Sequence, residues 1–446
     1  MTDLVVRGGT VVAPAGSRRA DVGCADGRVV QVEPDLPGGG DEIDATGLLV
    51  LPGLIDVHVH FNEPGRTDWE GAATGSRALA AGGGTLFVDM PLNSTPCTVN
   101  ARELARKRAA LEASSIADFG LWGGLVPGSI PAMAEMAQGG VVGFKAFMCD
   151  SGLAEFPRAD DETLFEGMRE AARLGLPVAV HAESEATTRA LAAARSGRDA
   201  AAFLASRPVA AELEAIGQAL RFAGETGVRL HIVHVSSGRG VALAAAARRD
   251  GVDVSVETCP HYLAFTAADL ERLGTAAKCA PPLRPEDEHT RLWEELLAGR
   301  VDIVASDHSP TDPAGKRGDF VTAWGGVAGV QSTLSILLED GHHRRGLALE
   351  RIVSLVAAEP ARRFRLPGKG RIEPGFDADL VLIDPAESFT LVERDLRQRH
   401  PASPYVGRSF RGTVRRTIRR GETIFIDGRI TAGTRGRFVA ASRTQP

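Results

Sequence analysis

The stretch LIDVHVH (residues 54–60) decides how the rest of the chain is read. Its apolar and β-branched residues read as a strand, and strand side chains alternate between two faces. His58 and His60, two residues apart, therefore turn two imidazoles toward one point, while Val57 and Val59 are expected to face the other way into apolar packing. Such a pair suits a borderline-soft divalent ion such as zinc, and equally a hydrogen-bonded histidine cluster. The sequence on either side bears on which it is.

Before the stretch lie short strand-like runs, LVVRGGTVVAP (4–14), GRVVQVEP (27–34) and LLVLPG (48–53), separated by Gly, Asp and Pro turn signals. After Gly53 the texture changes to apolar runs of about six residues alternating with Ala, Leu, Glu and Arg segments of helical period. There are eight such runs: LIDVHVH, TLFVDM (85–90), DFGLWG (118–123), VVGFKAF (141–147), LPVAVHA (176–182), VRLHIVHV (228–235), VDVSVET (252–258) and VDIVASD (301–307). Eight parallel strands predict an α/β fold, a (β/α)8 TIM barrel with its chemistry at the C-terminal strand ends. Strand texture returns after about residue 366 with DADLVLID, SFTLVE and TVRRTIRRGETIFIDGRI. Neither flank has enough apolar sequence for a core of its own. The expectation is a barrel over residues 53–365 and one small β-sandwich domain formed by both chain ends, residues 1–52 and 366–446. The Ala-rich stretch 186–222 reads as helices with a surface insertion, serving packing or a ligand clamp.

The 446 residues suffice for one large and one smaller domain. With 51 basic and 57 acidic residues the formal net charge is -6, and no basic run is long enough to follow a nucleic-acid backbone. Five scattered cysteines without a CxxC pair indicate neither a disulfide framework nor a zinc ribbon, and fit a reducing cytoplasm. The N-terminus MTDLVVRGGT has no basic and apolar leader pattern, and no apolar run approaches the roughly 18–20 residues of a membrane span. The expected partner is a small molecule, with no nucleic acid and no membrane.

Placed on the barrel, the unusual polar residues fall at strand ends: His58 and His60 on the first strand, Lys145 on the fourth, His181 on the fifth, His234 on the sixth and Asp307 on the eighth. His231, three positions before His234, is expected to face away and to be structural. A lysine inside an apolar strand ordinarily pairs with a carboxylate or a phosphate, and Asp307 alone could cap a helix. Lys145 makes chemical sense as a carbamate formed with carbon dioxide, which turns a cation into a bidentate anion. Four histidines, that bridge and an aspartate suffice for two divalent ions roughly 3.5–4 Å apart. Water at pKa about 15.7 lies far beyond the reach of a carboxylate near 3.9, whereas water lowered to about 7 leaves a gap of roughly 4 kcal/mol, workable for Asp307 as a base.

These residues carry a family resemblance. GLIDVHVHFNEPG, the lysine of GFKAF, VHAE, HVSS and SDHSP resemble the cyclic amidohydrolases of the amidohydrolase superfamily, and the likeness extends to the late GRIEPGFDADLVLID segment. It implies His58 and His60 on the more buried ion, His181 and His234 on the other, carbamylated Lys145 between them, and Asp307 as ligand and general base. Zinc is the ion implied, with cobalt and manganese also suited to such donors. A homotetramer is usual in the resembling family.

Within the family, dihydroorotases usually carry Arg two residues after the second histidine to bind a carboxylate, where this chain has Asn62, a neutral amide. Hydantoinases, or dihydropyrimidinases, present a Tyr on the loop after the lysine. The only tyrosines here are Tyr262 and Tyr405, and FMCDSGLAEFP has none. HFNEPGR, DMPLNSTP, GFKAFMCDSGLAEFP, ETCPHYL, KCAPPLR and WGGVAGVQ resemble instead the allantoin-opening branch. That resemblance implies hydrolysis of a neutral hydantoin ring with a ureido tail, allantoin, to allantoate, recognised by hydrogen bonds. Asn62, Asn93 and backbone groups of Cys279, Ala280 and Gly325 are the expected substrate contacts, though a turn Asn and ordinary Pro/Gly loops are the plain alternative. Gly325 stands where relatives carry a side chain. A hydantoinase, a dihydropyrimidinase or a dihydroorotase is the neighbouring reading, and a catalytically silent scaffold of the same fold is the reading from another class.

Overall fold

The strand texture of the N-terminal flank becomes β1 (Leu4–Ala13), β2 (Gly16–Ala25), β3 (Arg28–Glu33), β4 (Asp41–Asp44) and β5 (Leu49–Pro52). The structure is a computed structural model and describes residues 2–431, 433 and 435–442. Met1 and positions 432, 434 and 443–446 of the expected terminal domain lie outside the described residues. The eight apolar runs become β6 (Leu54–Val59), β7 (Gly84–Asp89), β8 (Asp118–Leu121) with its continuation β9 (Gly123–Gly124), β10 (Phe144–Phe147), β11 (Val178–His181), β12 (Leu230–Ile232), β13 (Val254–Thr258) and β14 (Ile303–Val304). The C-terminal flank adds β15 (Leu380–Thr390), β16 (Ser409–Arg419), β17 (Glu422–Ile426) and β18 (Arg429–Ile430).

Strands β6 to β14 pair in parallel and in sequence order. The ring closes where His60 N–H donates to the His308 carbonyl at 2.8 Å, beside a parallel bridge between Val59 and His308. The alternation of each strand sorts its residues. Phe87, Phe144, Ala146, Val178, Val180, Leu230 and Val256 pack outward with the helices, while Leu86, Val88, Trp122, Val142, Ala179 and Ile303 form a second apolar cluster that fills the bore. Lys145, between outward Phe144 and Ala146, is thereby driven into the bore.

The two flanks meet in one nine-stranded sheet, in which β15 pairs antiparallel with β5 (Leu380 opposite Pro52) and joins the N-terminal strands to the C-terminal ones. This sheet has its own apolar cluster, including Val6, Val22, Val50, Leu380 and Ile418. Only Gly53 separates β5 from β6. A Cβ there would sit 2.4 Å from Thr85 side-chain atoms, so the crossover from sheet to barrel needs glycine.

Two expectations are corrected. The register between β6 and β7 slips between Asp56 and Val59, a bulge that puts an extra residue into β6. Val57 therefore belongs to the bore cluster, and only Val59 packs outward. His231 lies in the bore, stacked on Trp122 with centroids 6.4 Å apart, and does not face away. The two-residue period fails because β12 ends at Ile232 and His234 takes a left-handed φ of 40°, so His231 and His234 share a side despite odd spacing.

Candidate active site

His181 and His234 sit where a strand ends and a helix soon begins. In HAES the strand ends at His181, and Ser184 caps helix Glu185–Ala194 by accepting from Thr187 N–H. In HVSS, Ser237 caps helix Gly238–Arg249 by accepting from Gly240 N–H. The capping serines thus start the helices within three residues of the histidines and hold them at the barrel mouth.

His58 Nε2 and His60 Nε2 lie 3.2 and 3.3 Å from the same oxygen of Asp307. His181 Nδ1 and His234 Nε2 lie 3.0 Å apart. Lys145 is fully buried, and among the described residues its amine has no hydrogen-bond partner. Its charge acts on His181 and His234, and those of Glu257 and Asp307 act on it, so the amine stands among all of them. The structure brings together the six residues singled out in the sequence, from five strands.

Burial sets the ionisation of the group. It pushes the Lys145 amine down to about 8 and lowers His60 and His181, with His234 well below the ordinary imidazole range. Burial would raise the Asp307 carboxyl, but His58 and the hydrogen bond to His60 outweigh it and hold the group well below the carboxylate range. Neutral imidazoles, an ionised carboxylate and an amine near neutrality are the states in which these atoms act as ligands or take up carbon dioxide.

Two buried carboxylates absent from the sequence reading orient these ligands. Glu257 accepts from His58 Nδ1 at 2.7 Å, from His231 Nε2 at 3.1 Å and from His234 N–H at 3.2 Å. Glu183 accepts from His181 Nε2 at 2.8 Å and pairs with Arg207, which comes from the 186–222 insertion. With those nitrogens engaged, His58 Nε2 and His181 Nδ1 are left facing inward, the carboxylate–histidine–metal arrangement. The donor set fits metal ions: two imidazole nitrogens, a carboxylate oxygen and a second imidazole pair converge around an unpartnered buried amine, and His58, His60 and Asp307 offer atoms all within 4.8 Å of one another.

Above the cluster opens a cavity of about 340 Å3, lined by the four histidines, Asp307, Asn93, Ser151, Lys278, Cys279, Ala280 and residues 321–326 among others. Asn93, Cys279, Ala280 and Gly325 are thus at its wall, and a Cβ on Gly325 would meet nothing within 4 Å. Asn62 is not at the wall. It is buried, its amide donates to the Pro310 carbonyl at 3.3 Å, and its φ of 61° marks a turn. The Ser151 hydroxyl donates to the Phe156 carbonyl at 2.6 Å and accepts from Leu153 N–H, so it braces the tyrosine-free loop. A wider groove of about 490 Å3 adjoins the cavity across Asp150, Phe203, Arg207, Lys278 and Val321, and lacks the histidines.

A closed parallel barrel with histidine, carboxylate and lysine groups converging at its C-terminal mouth is the build of a metal-dependent hydrolase. The sequence matches the amidohydrolase family over residues 49–424, and the chain belongs to that family. It is 61% identical, over 98% of its length and 97% of the relative's, to an allantoinase of Solibacter usitatus (strain Ellin6076). It is 60% identical to an allantoinase of Rubrobacter xylanophilus, over 99% and 98% of the two chains. Among solved structures, the L-hydantoinase (dihydropyrimidinase) from Arthrobacter aurescens superposes with a TM-score of 0.95 at 34% identity, covering 99% of this chain and 100% of the other. Among the described residues no helix is long and apolar enough to cross a membrane.

Proposed function

We propose that this protein opens the hydantoin ring of allantoin by hydrolysis, giving allantoate. The observation that carries the reading is the convergence of His58, His60, His181, His234 and Asp307 at the floor of the cavity, beside a buried Lys145 whose amine has no hydrogen-bond partner among the described residues. In this reading His58 and His60 would hold one divalent ion and His181 and His234 the other, with Lys145, as a carbamate, and Asp307 as the remaining ligands. Divalent ions held there would supply Lewis-acid chemistry, a lowered water pKa and a polarised carbonyl. Asp307 takes the water proton and returns it to the leaving ring nitrogen. Glu257 and Glu183 keep the imidazoles in the tautomers that present His58 Nε2 and His181 Nδ1.

Substrate choice follows from the walls. Asn93 donates to Ser309 Oγ at 3.3 Å and presents an uncharged amide. Of the cations at the mouth, Arg207 is engaged by Glu183, and the Lys278 ammonium by the Ala323 carbonyl. A neutral ring held by amides and main-chain groups suits such walls better than an anionic dihydroorotate. Zinc, a homotetramer and the cytoplasm complete the reading, the last supported by five buried cysteines, all free thiols. The test is hydrolysis of allantoin, hydantoin, dihydrouracil and dihydroorotate side by side, with and without added zinc, cobalt or manganese. Metal-dependent turnover with allantoin foremost is expected; a stronger preference for any other ring, or turnover indifferent to chelation, would overturn it.

A further inference from the structure

Lys316 lies outside the metal cluster, and its ammonium ends on three main-chain carbonyls, those of Thr275 at 3.1 Å, Trp324 at 3.0 Å and Gly326 at 2.5 Å. An ammonium has three N–H donors, so this set saturates it. Among the described residues no carboxylate bonds it, and burial pushes it down to about 7. A cation placed against carbonyls alone does not strengthen an ion network; what it does is hold the carbonyls. Two of them belong to residues 323–326, the segment that lines the cavity.

The consequence lies in the peptide plane. In a trans peptide the C=O and the N–H of the next residue point in opposite directions. With the Trp324 carbonyl fixed on Lys316, the Gly325 N–H must point away from Lys316. Gly325 is at the cavity wall, and its N–H has no hydrogen-bond partner among the described residues. Its neighbours are engaged: Trp324 N–H donates to the Gly315 carbonyl at 2.7 Å and Gly326 N–H to the Lys278 carbonyl at 2.8 Å. A peptide beside glycine flips with little steric resistance, and a flip here would turn a carbonyl to the cavity in place of a donor.

We infer that Lys316 is a positioning residue, locking the 324–325 peptide so that Gly325 N–H serves as a hydrogen-bond donor to a carbonyl oxygen of the bound ring. The inference rests on the allantoin reading of the cavity. The test compares Lys316→Met and Lys316→Gln with the unsubstituted holoenzyme. Lys316→Met is expected to raise KM for allantoin about tenfold with kcat within about threefold and bound metal unchanged, and Lys316→Gln, which keeps two donors, to fall between. Unchanged KM, or equal losses in kcat and metal, would overturn the inference. Hydrogen exchange gives a readout free of turnover. The amides of Trp324 and Gly326 should exchange far more slowly in the unsubstituted protein than those of exposed Ala314 and Gly318, and faster in Lys316→Met. Rapid exchange in the unsubstituted protein defeats the inference even if neither variant folds. Failure of the unsubstituted enzyme on allantoin would count against the functional reading alone, since the exchange experiment stands without it.

Discussion

Replacing Glu257 by glutamine probes the centre without replacing a candidate ligand. The carboxylate is fully buried, and although burial would raise it, His58 and His231 hold it at about 2. Its Oε1 accepts from His58 Nδ1 and His234 N–H, and its Oε2 from His231 Nε2. In Glu257→Gln the amide nitrogen has one place without a donor clash, opposite His231. That ring can change tautomer, accepting at Nε2 while Nδ1–H donates to Ser255 Oγ, 2.8 Å away. The fold is therefore kept, and what is lost is the negative charge behind His58. A hydrogen bond to a charged group contributes roughly 1.5–3 kcal/mol, which agrees with the roughly 10–100-fold in metal affinity typical of such orienting partners. Chelator competition on the purified variant should show a loss of that size, with the melting temperature of the metal-stripped protein little changed. Glu257→Ala should instead leave His58, His231 and His234 N–H unpaired and destabilise the stripped protein by about 3–5 kcal/mol. If Glu257→Gln bound metal as tightly as the parent, the claim that this carboxylate tunes and orients His58 would be wrong.

Asp307→Asn should keep most of the metal while turnover drops by about 10²–10⁴, the usual contribution of a positioned base; allantoin hydrolysis near the parental rate would remove Asp307 from that role. Lys145→Ala should lose metal and activity together and regain part of both with added short carboxylates, whereas full activity without rescue would make Lys145 structural. The pH dependence has a definite sign. In metal-stripped protein freed of bicarbonate, Lys145 titrates at about 8 when folded against 10.5 as the ordinary value. Between those values the unfolded chain binds the proton that the folded chain has released, so stability rises with pH across that window, by at most roughly 3 kcal/mol. Thermal unfolding from pH 7 to 11, read as the difference from Lys145→Met, should show the rise, and a flat or falling difference would contradict it.

Most of the barrel was legible because its two periods are strong. The apolar runs gave all eight strands, and VHAE, HVSS and SDHSP gave strand ends; in the first two a histidine followed three residues later by a capping serine is both a ligand position and a helix start. Glu257 and Glu183 were missed for a physical reason. An orienting carboxylate is defined by the ring it faces across the bore, and no sequence period reports that pairing. Signals did exist: Glu257 is an acid inside the apolar run VSVET, and Glu183 stands two residues after His181. Burying either unpaired would be costly, so each demanded a donor nearby. The direction of His231 was unreadable because one left-handed residue changes the count, and Val57 because a bulge does. Asn62 looked like a substrate contact by its place after the second histidine, yet the chain uses it as a turn.

Backbone conformation at the strand ends shows how the site is held. Asn62, Asn93, His234 and Asp307 all take left-handed φ, of 61°, 68°, 40° and 45°. They follow the ends of β6, β7, β12 and β14, where the chain must leave the sheet and its next side chain would otherwise point outward. A left-handed residue turns that side chain back over the bore. Asparagine and, to a lesser degree, aspartate adopt this conformation readily, but for a histidine it costs of order 1–3 kcal/mol and persists only where neighbours over-determine it. Those neighbours are present: His234 N–H is held by Glu257, and the Asp307 carboxylate by His58 and His60. Among these four strand ends the expense falls on the two positions whose side chains the chemistry requires, and the carboxylate that orients His58 also fixes the backbone of His234. Glu257 therefore couples both proposed ion positions: Glu257→Gln, which keeps an acceptor for His234 N–H, should weaken metal binding chiefly beside His58, whereas Glu257→Ala, which removes it, should weaken both.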